Sequence, residues 1–209
     1  MCLNSNARRP GELIVLLSVT VGALILSGIQ PYDRTTWLLE VFPILLGLPV
    51  LALTCRRFTL TPLLYRLIFL HALILILGGY YTYARVPLGF WAQDLLGLSR
   101  NHYDRLGHLA QGFIPSMIAR ELLLRTSPLR PGKWLFFLAL CSCLALSAFY
   151  EIIEWQAAVV LGQSADEFLG TQGDPWDTQW DMFLAGLGGA AALLTLGRRH
   201  NLQIARVTK

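Results

Sequence analysis

The chain is divided into apolar runs of the length a lipid bilayer demands, and no other feature narrows its fold so far. A bilayer-spanning helix needs roughly 20 mostly apolar residues. Six such runs stand at approximately residues 12–29, 37–54, 62–83, 105–124, 134–161 and 179–197. The fourth carries His108, Gln111 and Arg120, the fifth is longer than one crossing needs, and the sixth (AGLGGAAALL) suits close helix packing in lipid. Only 14% of the 209 residues are charged and 55% are hydrophobic, whereas a soluble domain carries about a quarter charged residues. The expectation is an all-α polytopic membrane protein with six transmembrane helices, forming a single membrane domain over 1–209.

Lys and Arg orient it. With the N-terminus cytoplasmic, Arg34, Arg85, Arg100 and Arg105 fall on the far side, and the other 13 of the 17 basic residues fall on the near side. The positive-inside rule then predicts both termini in the cytoplasm. The first run follows Arg8 and Arg9 but is longer than a signal-peptide core and ends in a poor cleavage context, so it reads as a retained span. The net charge of +4 is topogenic and attracts anionic lipid. Its dispersal over separate segments argues against a nucleic-acid partner. The four cysteines form no CxxC pattern. Cys2 and Cys55 fall on the reducing side, and Cys141 and Cys143 lie within a span, so disulfides are not expected.

Against this apolar background the ionisable residues stand out. Intramembrane charges are costly and usually face a protein interior or a wet cavity. With a helical rise of about 1.5 Å per residue, Asp104, His108 and Gln111 of the fourth span, Glu151 and Glu154 of the fifth, Asp177 and Asp181 of the sixth, and Glu40 of the second reach a common depth in the outer half of the bilayer. Spacings of three and four residues place each set on one helix face, with Trp155 completing that of Glu151 and Glu154. The loop before the sixth run adds Asp166, Glu167 and Asp174 without a basic residue, and Gly170, Gly173 and Pro175 suggest a structured connection. Trp176 and Trp180 suit a membrane boundary.

Bland roles compete at each position. Asp104 near a helix start favours the dipole, and His108 can simply bond a neighbour. Glu151 and Glu154 can bridge helices through a shared proton. Asp174 and Asp177 can serve as a turn residue and a helix cap. His71 and Arg66 lie away from the cluster, where a structural hydrogen bond is expected, and His102 is expected to be solvated. The functional alternative is a centre in which His108, Glu151, Glu154 and Asp181 hold a divalent cation, Asp104 and Asp177 orient them, and Gln111, Trp155, Asp174 and Trp176 contact substrate. Pro43 and Pro49 would kink the second span and open room there.

Three stretches, YDRLGHLAQGFIPSMIARELLLR, SAFYEIIEW and FLGTQGDPWDTQWDMFLA, resemble the signatures of the YjdF family of bacterial inner-membrane proteins. The likeness covers nearly the whole chain. It implies a multi-pass inner-membrane protein and brings no biochemical activity with it. The sparser pattern D-x-x-x-H, E-x-x-E and D-x-x-x-D is similar to VanZ-like membrane proteins, which are associated with glycopeptide-antibiotic resistance.

There is no G-x-S-x-G elbow, H-E-x-x-H helix, P-loop or dinucleotide fingerprint. The remaining expectation is a metal-assisted hydrolase or modifying enzyme acting on a lipid or lipid-linked envelope precursor. The alternatives are a small proton- or cation-coupled transporter, with Arg66, His71, Arg120 and Glu121 toward the cytoplasmic face, and a non-catalytic assembly protein.

Overall fold

The computed structural model describes residues 10–162 and 171–207. Its α-helices are α1 (Pro10–Ile29), α2 (Arg34–Thr54), α3 (Pro62–Tyr81), α4 (Pro87–Leu96), α5 (Tyr103–Thr126), α6 (Lys133–Leu161) and α7 (Asp177–Val207). A 3-10 turn, Tyr83–Arg85, precedes α4. No strand occurs among the described residues. Contacts set the helix directions: the Tyr32 N–H donates to Tyr80 O at 2.9 Å, and His108 near the start of α5 stands beside Glu151 in the second half of α6 and Asp181 near the start of α7. The starts of α2, α5 and α7 therefore share one end of the bundle with the ends of α1, α3 and α6.

Local chemistry sets the helix limits. Asp33 caps α2 by accepting the Thr36 N–H at 2.7 Å. Pro62 and Pro87 stand at the first turns of α3 and α4, where a missing N–H costs nothing. Gly97 ends α4 in the left-handed region at φ 64°.

Five helices, α1, α2, α3, α6 and α7, are long and apolar enough to cross a membrane. Their outward residues, such as Val15, Leu26, Leu53, Val160 and Leu194, are exposed to the surroundings, as lipid-facing side chains must be. The remaining long helix, α5, has the length for a crossing, 24 residues or about 36 Å, but not the apolarity. It is the central helix, packed against α3, α6 and α7, so its polar side chains face protein. Gly112 of α5 lies on the Ala185 backbone of α7, and Gly188 of α7 on the Leu109 backbone of α5. Any Cβ at either glycine would strike backbone, so this close crossing requires glycine at both. Leu64, Met117, Ala139 and Ala192 fill the core between these helices. Val41, Ile44, Ala72 and Ile76 join α2 to α3, with Ala23 and Leu24 of α1 against them.

Three features depart from the sequence expectation. α7 runs to Val207 rather than ending near 197, because its polar last turns find partners within the protein. The segment after α3 forms α4, which is too short to span and presents Leu88, Phe90, Trp91, Leu95 and Leu96 to the surroundings, as an interfacial helix does. Cys55 is disulfide-bonded, against the expectation of free thiols, while Cys141 and Cys143 are free.

Candidate functional site

The start of α5 is fixed first. The Asn101 side chain donates to Val86 O and accepts the Tyr103 N–H, both at 3.0 Å, which ties the α4 segment to α5. One and two turns on, Asp104, His108 and Gln111 form a stripe facing α6 and α7. From α6 come Glu151 and Glu154, and from α7 Asp177 and Asp181, all buried. Glu40 of α2 is buried at the same end and accepts from the Tyr150 hydroxyl at 3.4 Å.

His108 is the hub. Its Nδ1 lies 2.9 Å from Gln111 Oε1, so Nδ1–H donates there and Nε2 is the ring atom available to a cation that displaces its proton. That Nε2 faces Asp104 Oδ1 at 3.4 Å and Asp181 Oδ2 at 3.9 Å. Both separations exceed the 2.7–2.9 Å typical of a charge-assisted hydrogen bond. They suit ligand atoms sharing a cation: around a tetrahedral ion with bonds of about 2.1 Å, neighbouring ligands sit about 3.4 Å apart. A second grouping, His108 with Glu151 and Glu154, also brings its ligand atoms within 4.8 Å of one another, and Glu151 Oε1 lies 3.8 Å from Nδ1. Asp181 Oδ1 and Glu151 Oε1 are buried without a hydrogen-bond partner. A buried orphan acceptor carries a desolvation cost of about 1–3 kcal/mol, more when charged. Two of them beside one imidazole mark a place for a positive charge.

Asp177 and Asp174 are differently engaged. Arg100 meets Asp177 at 2.9 Å and Asp174 at 3.1 Å, and Arg105 meets Asp174 at 2.8 Å and Asp177 at 3.6 Å. Asp174 Oδ1 also accepts the Trp176 N–H at 2.9 Å, closing an Asx turn. That N–H, with Arg100 and Arg105, lowers the Asp174 pKa. Arg100 further donates to Thr171 O, and Gln172 to Asn101 O at 2.7 Å, so residues 171–176 are docked on the α5 start. The acidic loop has its bases after all, supplied by another segment. Burial and these two arginines push the His102 pKa down. Asp166, Glu167 and Gly170 lie outside the described residues.

Two expected substrate contacts stand apart from the cavity. Trp155 is 61% exposed and Trp176 64%. Neither lines the opening among the helices, and Trp155 does not share the buried face of Glu151 and Glu154. Conversely, His71 is not remote. It lines the same cavity as His108, Gln111, Asp104 and Glu154, and its Nε2 is buried without a hydrogen-bond partner. This cavity of about 100 Å³ runs between α2, α3, α5 and α6, with Glu40, Tyr83 and Tyr150 in its wall. Pro43 and Pro115 border it.

The opposite end holds a second polar network, absent from the expectation except for Arg120 and Glu121. Glu121 accepts from the Thr61 hydroxyl (2.7 Å), His200 Nε2 (2.8 Å) and Arg125 (2.6 Å). Arg120 donates to His200 Nδ1 at 2.9 Å, which fixes the Nε2–H tautomer. Gln203 accepts the Leu63 N–H at 2.9 Å, satisfying an open amide at the start of α3. His200 and Gln203 lie beyond the apolar run, so hydropathy gave no signal for them. Arg66 is paired separately with Glu12 at 2.5 Å.

Fold and site together define a polytopic helical membrane protein with a buried carboxylate–imidazole centre at one end of the bundle. A family model described as "Predicted membrane protein (DUF2238)" matches residues 12–202, and the chain belongs to that family. It is 55% identical over 183 residues to the inner membrane protein YjdF of Escherichia coli (strain K12), an alignment covering 88% of each chain. No solved structure matches. The YjdF resemblance of the three signature stretches is thereby confirmed, and the protein is a multi-pass inner-membrane protein.

Proposed function

We propose that the protein binds a divalent cation between α5 and α7 and uses it on a lipid or lipid-linked group of the cell envelope. One observation carries the reading: His108 turns its Nε2 toward two carboxylates from different helices, at separations suited to shared ligation. Asp104, His108 and Asp181 are then the primary ligands. Glu151 and Glu154 form a second grouping around the same ring, and are the further carboxylates from which a general base would come. A divalent ion at such a site lowers the pKa of bound water toward neutrality, so hydrolysis or group transfer is the chemistry supported. With six spans and both termini cytoplasmic, the centre lies in the outer half of the membrane, within reach of envelope substrates.

The transporter reading draws less support. It needs a polar route to the opposite end, where the Leu64–Met117–Ala139 packing and the saturated Glu121 network stand in the way. The test is metal content of detergent-purified protein. Near-stoichiometric metal in the wild type, lost from folded His108→Ala and Asp181→Asn, is the expected result. Wild-type protein that stays metal-free after loading with Zn, Mn or Mg sinks the reading.

A further inference from the structure

The cavity beyond His108 has its own chemistry. Its wall carries Glu40, Asp104 and Glu154, the Tyr83 and Tyr150 hydroxyls, and the bare Nε2 of His71. No Lys or Arg is among the lining residues. The nearest arginines on α5 and its approach, Arg100 and Arg105, are held on Asp174 and Asp177. A phosphate or carboxylate would meet three carboxyl groups there and no Lys or Arg to offset them. A neutral apolar group would leave Glu40 and His71 poorly satisfied.

The complement is a small cation that donates hydrogen bonds. A primary ammonium group brings one positive charge and three N–H donors with no acceptor. The wall offers it a carboxylate on α2, an imidazole nitrogen on α3 and a hydroxyl oxygen on α6. At about 100 Å³, the cavity has room for a group the size of a few waters.

We propose that this cavity is a second subsite, which takes the protonated primary amine of the membrane-borne substrate. The substrate clause rests on the cation-dependent chemistry proposed above, whereas amine binding itself does not. The amine arrives either on a lipid headgroup or as a soluble molecule, and the two sources are separable.

The test is the melting temperature of purified protein in a detergent free of amine-bearing lipid. It should rise with the logarithm of ethanolamine concentration once the site begins to fill, and not with choline, which has no N–H to donate. Glu40→Gln and His71→Leu should each abolish the rise while metal content stays at the wild-type level. Should Glu40→Gln fail to fold, His71→Leu alone decides. Equal responses to ethanolamine and choline, or a rise that survives in the folded variants, overturns the subsite. Asp181→Asn, at a proposed metal ligand outside the cavity wall, should lose metal and keep the ethanolamine response, so failure of one proposal is distinguishable from failure of the other. In nanodiscs, loss of the ethanolamine response on adding phosphatidylethanolamine to phosphatidylglycerol assigns the amine to a lipid. An unchanged response assigns it to a soluble molecule.

Discussion

At His108 the two ring nitrogens face different chemistry, and Gln111 decides which does what. By accepting from Nδ1 at 2.9 Å, Gln111 holds the ring so that Nε2 can ligate. Such outer partners typically alter metal affinity 10- to 100-fold when removed. Gln111→Leu should therefore weaken metal binding by that order while the helices stay folded, as read by metal titration beside circular dichroism. Trp155→Ala, at an exposed position, should leave metal content unchanged. Asp174 gives a pH dependence. Its pKa is lowered on folding, so the stability it contributes is present above its ordinary value and lost as the pH falls through the lower folded one. Asp174→Asn should thus destabilise at neutral pH and flatten the acid limb of a melting-temperature profile. The stripes Asp104–His108–Gln111 and Glu151–Glu154 were legible because three- and four-residue spacings map directly onto a face. Trp155 was misplaced because the buried face of α6 runs through Cys143, Ser147, Glu151 and Glu154. At 100° per residue, Trp155 lies about 90° from its centre. His71 was missed because depth along one helix does not show what the next helix leaves open.

Among the elements, α5 is the one that hydropathy describes least well and packing explains best. Its polar residues serve two separate ends of the bundle, joined by the glycine-mediated crossing with α7. Gly112→Leu should push the helices apart, with a cost of at least the 1–3 kcal/mol typical of overpacking, measured as lost resistance to denaturant in micelles. At the lower network, Glu121→Ala leaves His200, Arg125 and Thr61 without their shared acceptor. A loss of about 3–5 kcal/mol is expected, as for other broken buried pairs, without loss of metal. The five apolar helices were legible from length and composition alone. The last turns of α7 and the short α4 were not, because their stability comes from tertiary partners and an interface rather than from a run of apolar residues.

Across the whole molecule, chemistry is segregated by end. One end gathers the carboxylates and His108, while the other is saturated with hydrogen bonds and carries most of the basic residues. The positive-inside rule therefore assigns the saturated end to the cytoplasm. A reporter fused after residue 209 that is active only in the cytoplasm should give signal, and one active only in the periplasm should not. A reversed result would turn the centre inward and remove envelope groups from its reach.

Tyr83 has a consequence for how any of these variants should be read. Its ring is wedged between Gly78 of α3 and Gly107 of α5, close enough that a Cβ on either glycine would strike it. The ring acts as a spacer of fixed thickness, as a shim does between two beams. The gap beside it is thus set by a rigid aromatic plane, independently of which charges line the walls. Stripping Glu40 or His71 of polarity changes what the gap attracts and leaves its width alone. Tyr83→Ala, by contrast, removes the spacer itself, so it should alter the width of the gap and with it the ethanolamine response, even though every charge in the wall is kept.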